Sequence, residues 1–177
     1  SDESKLLEFS SWTSIPVING LTDQSHPCQV MADIMTFEEL KGNIQGKKVV
    51  WVGDGNNVCT SYIHAAVKFK FNLKIASPSE FSPNEKLVGW AKSQGAQVEV
   101  LGGAKEAVDS ADLVVTDTHI SMHNDLTSTK KRLEILSNFQ VNETLMSNAK
   151  TDAIFLHCLP AHRNVEATDA VIDGPNS

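Results

Sequence analysis

Short, mostly apolar runs alternate with amphipathic stretches along most of the chain. Runs of this kind are typical of strands that are buried on both faces, as in parallel sheets covered by helices. Five of them read as strands: Val49–Val52, Leu73–Ala76, Val98–Leu101, Leu113–Thr116 and Ile154–His157. The pattern predicts an α/β fold, in which a doubly wound five-stranded parallel sheet has helices on both faces.

The stretches between the runs have helical spacing. We predict helices over Val58–Phe69 and Leu87–Ser93. For the second one, Ser82 is the expected N-cap, Pro83 fits the first turn and Glu85 completes a capping box.

The segment before the first strand differs from the rest. His26–Phe37 reads as a helix, whose expected core contacts are Val30, Ile34 and Phe37. A polar turn with glycines at both ends follows, so we place a domain boundary near Gly42–Lys48. Residues 1–42 are too few to bury a core of their own, and we predict a helical segment that belongs to a neighbouring domain.

Composition excludes several classes of protein. The formal net charge is −7 and no long Lys/Arg block occurs, which argues against nucleic acid as a partner. No apolar run is long enough to cross a bilayer, so we expect no membrane segment. Three cysteines without a Cys-x-x-Cys pair favour a reducing compartment.

Candidate site residues follow three of the predicted strands. Open parallel sheets bind ligands beyond the carboxyl ends of their strands, where the strand order reverses. Functional side chains cluster after the first, fourth and fifth strands, in Gly53–Asn57, Asp117–Met122 and Cys158–Pro160. We therefore predict that these three strands are neighbours around one crevice.

The glycines after the first strand allow two interpretations. Gly53-x-Gly55 before a helix is part of a dinucleotide fingerprint, but Val58 stands where the third glycine belongs. The alternative is a tight strand-to-helix turn. In both cases the amides of Asn56 and Asn57 face the crevice, where they suit the carboxylate or amine of an amino acid.

Histidines and a cysteine near the other loops suggest further chemistry. A zinc site could be drawn from His119, His123, His157, Cys158 and His162, and the pair His119 and His123 stands four residues apart. That pair lacks the Glu of a helical metalloprotease motif. We expect no metal. Cys158 can be a nucleophile, a small buried residue or a polarisable pocket wall, and we favour the last.

Two further positions carry charge or hydrogen-bonding capacity. Asp117 is either a turn residue or the partner of a substrate ammonium group. His26 and Gln29 head a helix, where an anion or a carbonyl oxygen is favoured by the helix N-terminus.

These segments, in this order, resemble the ornithine carbamoyltransferase family. The resemblance covers the chain from about Pro16 to its end. It is carried by Ile18–Asp23, His26-Pro27-Cys28-Gln29, Trp51–Asn57, Asp117-x-x-x-Ser121-Met122 and Phe155–Arg163, which contains His157-Cys158-Leu159-Pro160.

The resemblance implies carbamoyl transfer from carbamoyl phosphate to the side-chain amine of L-ornithine, which gives L-citrulline and phosphate without a cofactor or a metal. It implies that residues 1–42 end a carbamoyl-phosphate domain and that residues 43–177 form the ornithine-binding domain. The roles it assigns are catalytic for His26, Asp117 and Cys158, and substrate-binding for Gln29, Asn57, Asp117, Ser121, Met122, Cys158 and Leu159. It further implies a homotrimer or a multiple of it, a role in arginine biosynthesis or the urea cycle, and a cytoplasmic or mitochondrial-matrix location.

The chain departs from the family pattern in three places. The phosphate-gripping Ser-Thr-Arg-Thr loop and the closing C-terminal helix do not occur, so we expect no citrulline formation by the 177 residues alone. His123 replaces a usual glycine in the loop that sets amine specificity. Three alternatives therefore stay open: a carbamoyltransferase for another amine such as putrescine, a non-catalytic amino-acid-binding domain, and a nucleotide-binding domain.

Overall fold

The computed structural model describes residues 2–120 and 126–177. The strands are β1 Lys48–Val52, β2 Asn72–Ala76, β3 Val98–Leu101, β4 Leu113–Thr116 and β5 Ile154–His157. The helices are α1 Glu3–Ser11, α2 Pro27–Lys41, α3 Asn57–Phe69, α4 Glu85–Ser93, α5 Ala104–Val108, α6 Leu126–Leu136, α7 Glu143–Met146 and α8 Asp169–Ile172. Short 3-10 turns cover Ser79–Phe81 and Ser137–Phe139. Within the described ranges, no helix has the length and apolarity that a bilayer crossing requires.

The five strands form one parallel sheet in the order β3-β2-β1-β4-β5. The predicted parallel sheet is confirmed, and each strand lies within one residue of its predicted bounds. The chain moves outward from β1 to β3 and then returns to the other side of β1, so the strand order reverses between β1 and β4. The first, fourth and fifth strands are neighbours, as the polar loops predicted.

Alternate residues of the strands enter two separate cores. One face carries Trp51 and Ile75 into a cluster with α2, α3 and α4. The other face carries Val52 and Val114 into a cluster with α5, α7 and α8. Both faces are therefore covered by helices, and this is why the strand sequences are apolar at nearly every position.

Helix α2 packs against the main domain. Its predicted core residues are at most 3% exposed and join the cluster around Trp51; they are Val30, Ile34 and Phe37. The helix ends at Gly42, which has a φ of 76°, a left-handed conformation that glycine adopts without strain. Helix α1, in contrast, buries none of its residues.

The predicted start of α4 was wrong. Asn84 is the N-cap, and its side chain accepts hydrogen bonds from the backbone N–H groups of Lys86 and Leu87. Ser82 instead closes the preceding 3-10 turn through its backbone N–H. Asparagine is as good a cap as serine, and Asn84 lies directly before the first helical residue, so the capping box does not form.

Candidate functional site

The carboxylate of Asp117 joins the ends of three adjacent strands. Asn56, from the loop after β1, donates its side-chain amide to Oδ2 of Asp117 at 2.6 Å. Cys158, directly after β5, donates its thiol to Oδ1 at 2.8 Å, and the backbone N–H of Thr118 reaches the same oxygen at 2.6 Å. All three donors are neutral. The half-buried carboxylate therefore keeps a negative charge that these contacts do not cancel.

The loop after β1 is shaped by its glycines and by a helix cap. Asn56 accepts hydrogen bonds from the N–H groups of Val58 and Cys59, so it starts α3 while its amide nitrogen holds Asp117. A Cβ at Gly55 would lie 2.4 Å from the backbone nitrogen of Pro83, and Gly53 has a φ of 124°. The glycines have a structural reason in close packing and backbone conformation, and this supports the tight-turn interpretation of Gly53-x-Gly55.

The thiol of Cys158 is not poised as a nucleophile. Burial, the charge of Asp117 and its hydrogen bond raise the pKa of Cys158 far above its usual value, so the thiol keeps its proton. The adjacent His157 points elsewhere, with Nε2 at 3.2 Å from Oε1 of Glu166. The preferred role for Cys158, a polarisable pocket wall, stays a prediction.

His157 fixes the backbone of the loop after β5. Its Nδ1 accepts the backbone N–H of Leu159 at 2.8 Å, so the proton of a neutral ring lies on Nε2 and faces the buried Glu166. Leu159 has a φ of 56°, precedes a cis peptide bond to Pro160, and is 65% exposed. Most of Leu159 is therefore open to solvent directly after β5, while its backbone N–H is held by His157.

His26 and Gln29 lie at the start of α2, as its N-cap and in its first turn. The backbone N–H of His26 donates to the hydroxyl of Ser61 at 2.7 Å, which ties the N-cap of α2 to α3. Among the described residues, Nδ1 of His26 is buried without a hydrogen-bond partner. Gln29 donates its amide to Oδ1 of Asp33 at 2.9 Å. Both residues retain hydrogen-bonding capacity for a ligand at this helix end.

Three further residues are predicted to bind substrate: Asn57, Ser121 and Met122. Asn57 donates its amide to the backbone carbonyl of Thr22 at 2.8 Å and thereby fastens the N-terminal segment to α3. Its neighbour Asn56, and not Asn57, contacts Asp117. Ser121 and Met122 lie outside the described residues.

Arg132 of α6 is a supporting residue that sequence reasoning missed. Its Nε donates to the backbone carbonyl of His119 at 2.7 Å, and its guanidinium forms an ion pair with Asp54. The same guanidinium lies 4.5 Å above the ring of Phe81. One side chain thus connects the segments after β1, β2 and β4. No local signal marks it, because Asp54 is 78 residues away in sequence.

His119 belongs to the packing beneath the site. It is 1% exposed, and its Nε2 would lie 3.1 Å from a Cβ on Gly53. Within the described ranges, no three potential metal ligands converge on one point, and Nε2 of His119 has no hydrogen-bond partner. His123, the other residue of the proposed pair, lies outside those ranges.

The burial of His119 predicts a pH-dependent stability. The pKa of His119 is lowered to about 4, chiefly by burial and also by nearby Arg132, while the carboxylates of Glu166 and Asp117 oppose the shift. His119 takes up a proton near pH 6.5 in the unfolded chain but only near pH 4 in the folded chain. The stabilisation is therefore complete above pH 6.5 and is lost as the pH falls toward 4.

We expect the protein to lose about 2 kcal/mol more unfolding free energy between pH 7 and pH 5 than the His119→Gln variant does. Denaturant unfolding of both proteins at the two pH values measures the difference. Equal losses in the two proteins would show that His119 does not cause the pH dependence, whatever the stability of the variant at pH 7.

The fold and the site define a class of protein: an α/β domain with a carboxylate at the point where the strand order reverses, held among the described residues by neutral donors. Residues 45–177 match the family model described as "Aspartate/ornithine carbamoyltransferase, Asp/Orn binding domain". Residues 1–39 match the model of the carbamoyl-P binding domain of the same family. The chain belongs to the aspartate/ornithine carbamoyltransferase family.

Individual relatives agree with the family. The ornithine carbamoyltransferase of Ruegeria pomeroyi is 53% identical over 176 residues, which are 99% of this chain and 57% of that protein. That of Agrobacterium fabrum is 48% identical over 177 residues, or 57% of its length. The solved ornithine carbamoyltransferase of Pyrococcus furiosus superposes with a TM-score of 0.92 at 44% identity, over 99% of this chain and 57% of its own. The chain thus spans a little over half the length of the relatives it matches.

Proposed function

We propose that the protein transfers the carbamoyl group of carbamoyl phosphate to the side-chain amine of L-ornithine. The observation that carries the proposal is the carboxylate of Asp117, whose hydrogen-bond donors among the described residues are all neutral. Such a carboxylate favours a ligand with an ammonium group. The ornithine carbamoyltransferases among the relatives support ornithine as that ligand.

The geometry favours ornithine over aspartate, the other amino acid in the family description. Aspartate brings two carboxylates, whereas the crevice presents Asp117 and has Glu166 buried behind it. The nearby cation, Arg132, is already paired with Asp54. An anionic acceptor would therefore be repelled by Asp117, and Arg132 is not free to offset that repulsion.

The two ends of ornithine need different environments. An ammonium group paired with Asp117 keeps its proton, so the α-amino group suits this position and the reacting side-chain amine belongs farther along the crevice. There the neutral amine attacks the carbonyl carbon of carbamoyl phosphate. A C–N bond forms, the C–O bond to phosphate breaks, and the proton that the amine loses ends on the released phosphate. Positioning of two bound reactants can contribute roughly 7–11 kcal/mol in favourable cases.

The assigned roles follow this arrangement. His26 and Gln29 at the start of α2 address the carbamoyl group, while Cys158 and the exposed Leu159 contact both substrates. Asn57, Asp117, Ser121 and Met122 bind ornithine. The division into residues 1–42 and 43–177 is part of the proposal, and the separate matches to residues 1–39 and 45–177 support it. The homotrimer, the pathway, the cytoplasmic location and the independence from cofactors and metals remain predictions.

The test compares three amines with the protein expressed at its full length. We expect kcat/KM for L-ornithine to exceed that for putrescine by about 100-fold or more, because putrescine lacks the α-carboxylate and α-amino arrangement. L-Aspartate should give no carbamoyl product. Citrulline, carbamoylputrescine and carbamoylaspartate are quantified separately.

Each alternative has its own outcome in this assay. Faster carbamoylation of putrescine than of ornithine would identify putrescine as the acceptor. Binding of ornithine in calorimetry without any carbamoyl product would point to a non-catalytic amino-acid-binding domain. Binding of NAD without binding of ornithine would favour the nucleotide-binding alternative.

A further inference from the structure

A buried carboxylate next to Gln29 has no part in the proposed chemistry. Asp33 lies one helical turn after Gln29 in α2 and is 6% exposed. Its Oδ1 accepts the side-chain amide of Gln29 at 2.9 Å, and its Oδ2 accepts the hydroxyl of Tyr62 at 2.7 Å. Tyr62, from α3, is fully buried. Both oxygens of Asp33 therefore face a donor, and packing fixes the position of the one on Tyr62.

The arrangement decides which end of the Gln29 amide is free. A carboxylate accepts hydrogen bonds and cannot donate them, so the NH₂ group of Gln29 turns toward Asp33. The carbonyl oxygen of the same amide is then left for a ligand, and no group among the described residues donates to it. An amide without this neighbour can rotate and present either end.

The carboxylate of Asp33 lies near ionisable groups of the site. Burial raises the pKa of Asp33, and hydrogen bonds from Tyr62 and Gln29 and the nearby His26 and His157 oppose the rise. The negative charge of Asp33 in turn contributes to the raised pKa of Cys158. Val30 and Ile34, the neighbours of Asp33 in α2, belong to the cluster around Trp51 against which Cys158 packs, so this part of α2 and the end of β5 share one cluster.

We propose that Asp33 is a positioning residue that locks the side-chain amide of Gln29 with its carbonyl oxygen toward the carbamoyl donor. The inference rests on the proposed function. An acceptor at this point is complementary to the NH₂ group of a carbamoyl compound, which donates hydrogen bonds, whereas the methyl group of an acetyl compound cannot donate. Asp33 therefore contributes to the choice of acyl donor without touching it.

The test uses substitutions that reverse the polarity of this contact in the protein expressed at full length. In Asp33→Asn, the side-chain oxygen still accepts from Tyr62, but the new NH₂ group faces Gln29 and turns its carbonyl oxygen inward. The NH₂ group of Gln29 then points at the NH₂ group of the donor. We expect the KM for carbamoyl phosphate to rise about tenfold or more, with little change in the KM for ornithine.

A second substitution should restore the contact. In Gln29→Glu/Asp33→Asn, one oxygen of the new Glu accepts from the new Asn and the other faces the donor as an acceptor. We expect the KM for carbamoyl phosphate to return to within about threefold of that of the unchanged protein. The single variant Gln29→Glu should be worse than the double variant, because it places two carboxylates against each other.

Tyr62→Phe separates orientation from packing. It removes one hydrogen bond to Asp33 but keeps the bond from Asp33 to Gln29, so it should lower the thermal midpoint and leave the KM for carbamoyl phosphate nearly unchanged. A rise in that KM equal to the rise in Asp33→Asn would overturn the inference. An unaltered KM in Asp33→Asn, or no recovery in the double variant, would do the same. Absence of citrulline formation by the unchanged protein would instead count against the proposed function.

Discussion

Replacing Asp117 by Asn should lower kcat/KM for ornithine by about 100-fold or more, since a charge-assisted contact to an ammonium group is lost and a buried donor is added. The new amide would also face the amide of Asn56, which already donates to this position. The KM for carbamoyl phosphate should change little. Steady-state kinetics on the full-length protein measures both effects, and calorimetry with ornithine isolates the binding contribution.

Asp152→Asn is the matched control for this prediction. It removes the same charge by the same substitution. Asp152, however, precedes β5 and so lies at the amino ends of the parallel strands, whereas Asp117 lies at their carboxyl ends. Its side chain is 72% exposed and forms an ion pair with Lys41 at 3.4 Å. Exposed pairs of this kind contribute little, so activity and stability should stay close to those of the unchanged protein. Equal losses in the two variants would reject a specific role for Asp117.

Replacing Arg132 by Leu should destabilise the protein by about 3 kcal/mol. The substitution leaves Asp54, whose side chain is 20% exposed, without its positive partner. It also removes the bond to the carbonyl of His119 and the contact with the ring of Phe81. Denaturant unfolding measures the loss of stability.

A double-mutant cycle with Asp54→Asn tests the mechanism of that loss. If the unpaired carboxylate causes most of it, Asp54→Asn/Arg132→Leu should be more stable than Arg132→Leu alone. A double variant that is less stable than the single one would show that the cost comes from the other contacts. The exposed pair of Lys41 and Asp152 offers a surface comparison, in which Lys41→Leu should cost much less.

The sheet could be predicted from the sequence because its signal is local. Each strand is a short apolar run between turns, and the polar loops after β1, β4 and β5 indicated which strands are neighbours. The start of α4 was misplaced because Ser82 and Asn84 are both good caps, and only the preceding 3-10 turn decides between them.

The supporting residues of the site could not be predicted in the same way. Asp33 and Tyr62 are 29 residues apart, and Arg132 and Asp54 are 78 apart, so their contacts depend on tertiary packing. Asp117 could be proposed because it stands directly after a strand. The choice between Asn56 and Asn57 could not be made, because adjacent amides at a helix start differ only in the direction the backbone gives them.

The strand order has a practical consequence for labelling the protein. β3 stands at one end of the sheet, two strands away from β1, and its Val100 is 37% exposed. The turn after it contains Gly102, where an added Cβ would meet nothing within 4 Å. A reporter peptide inserted there would lie at the edge of the sheet farthest from Cys158 and should leave the residues around Asp117 undisturbed.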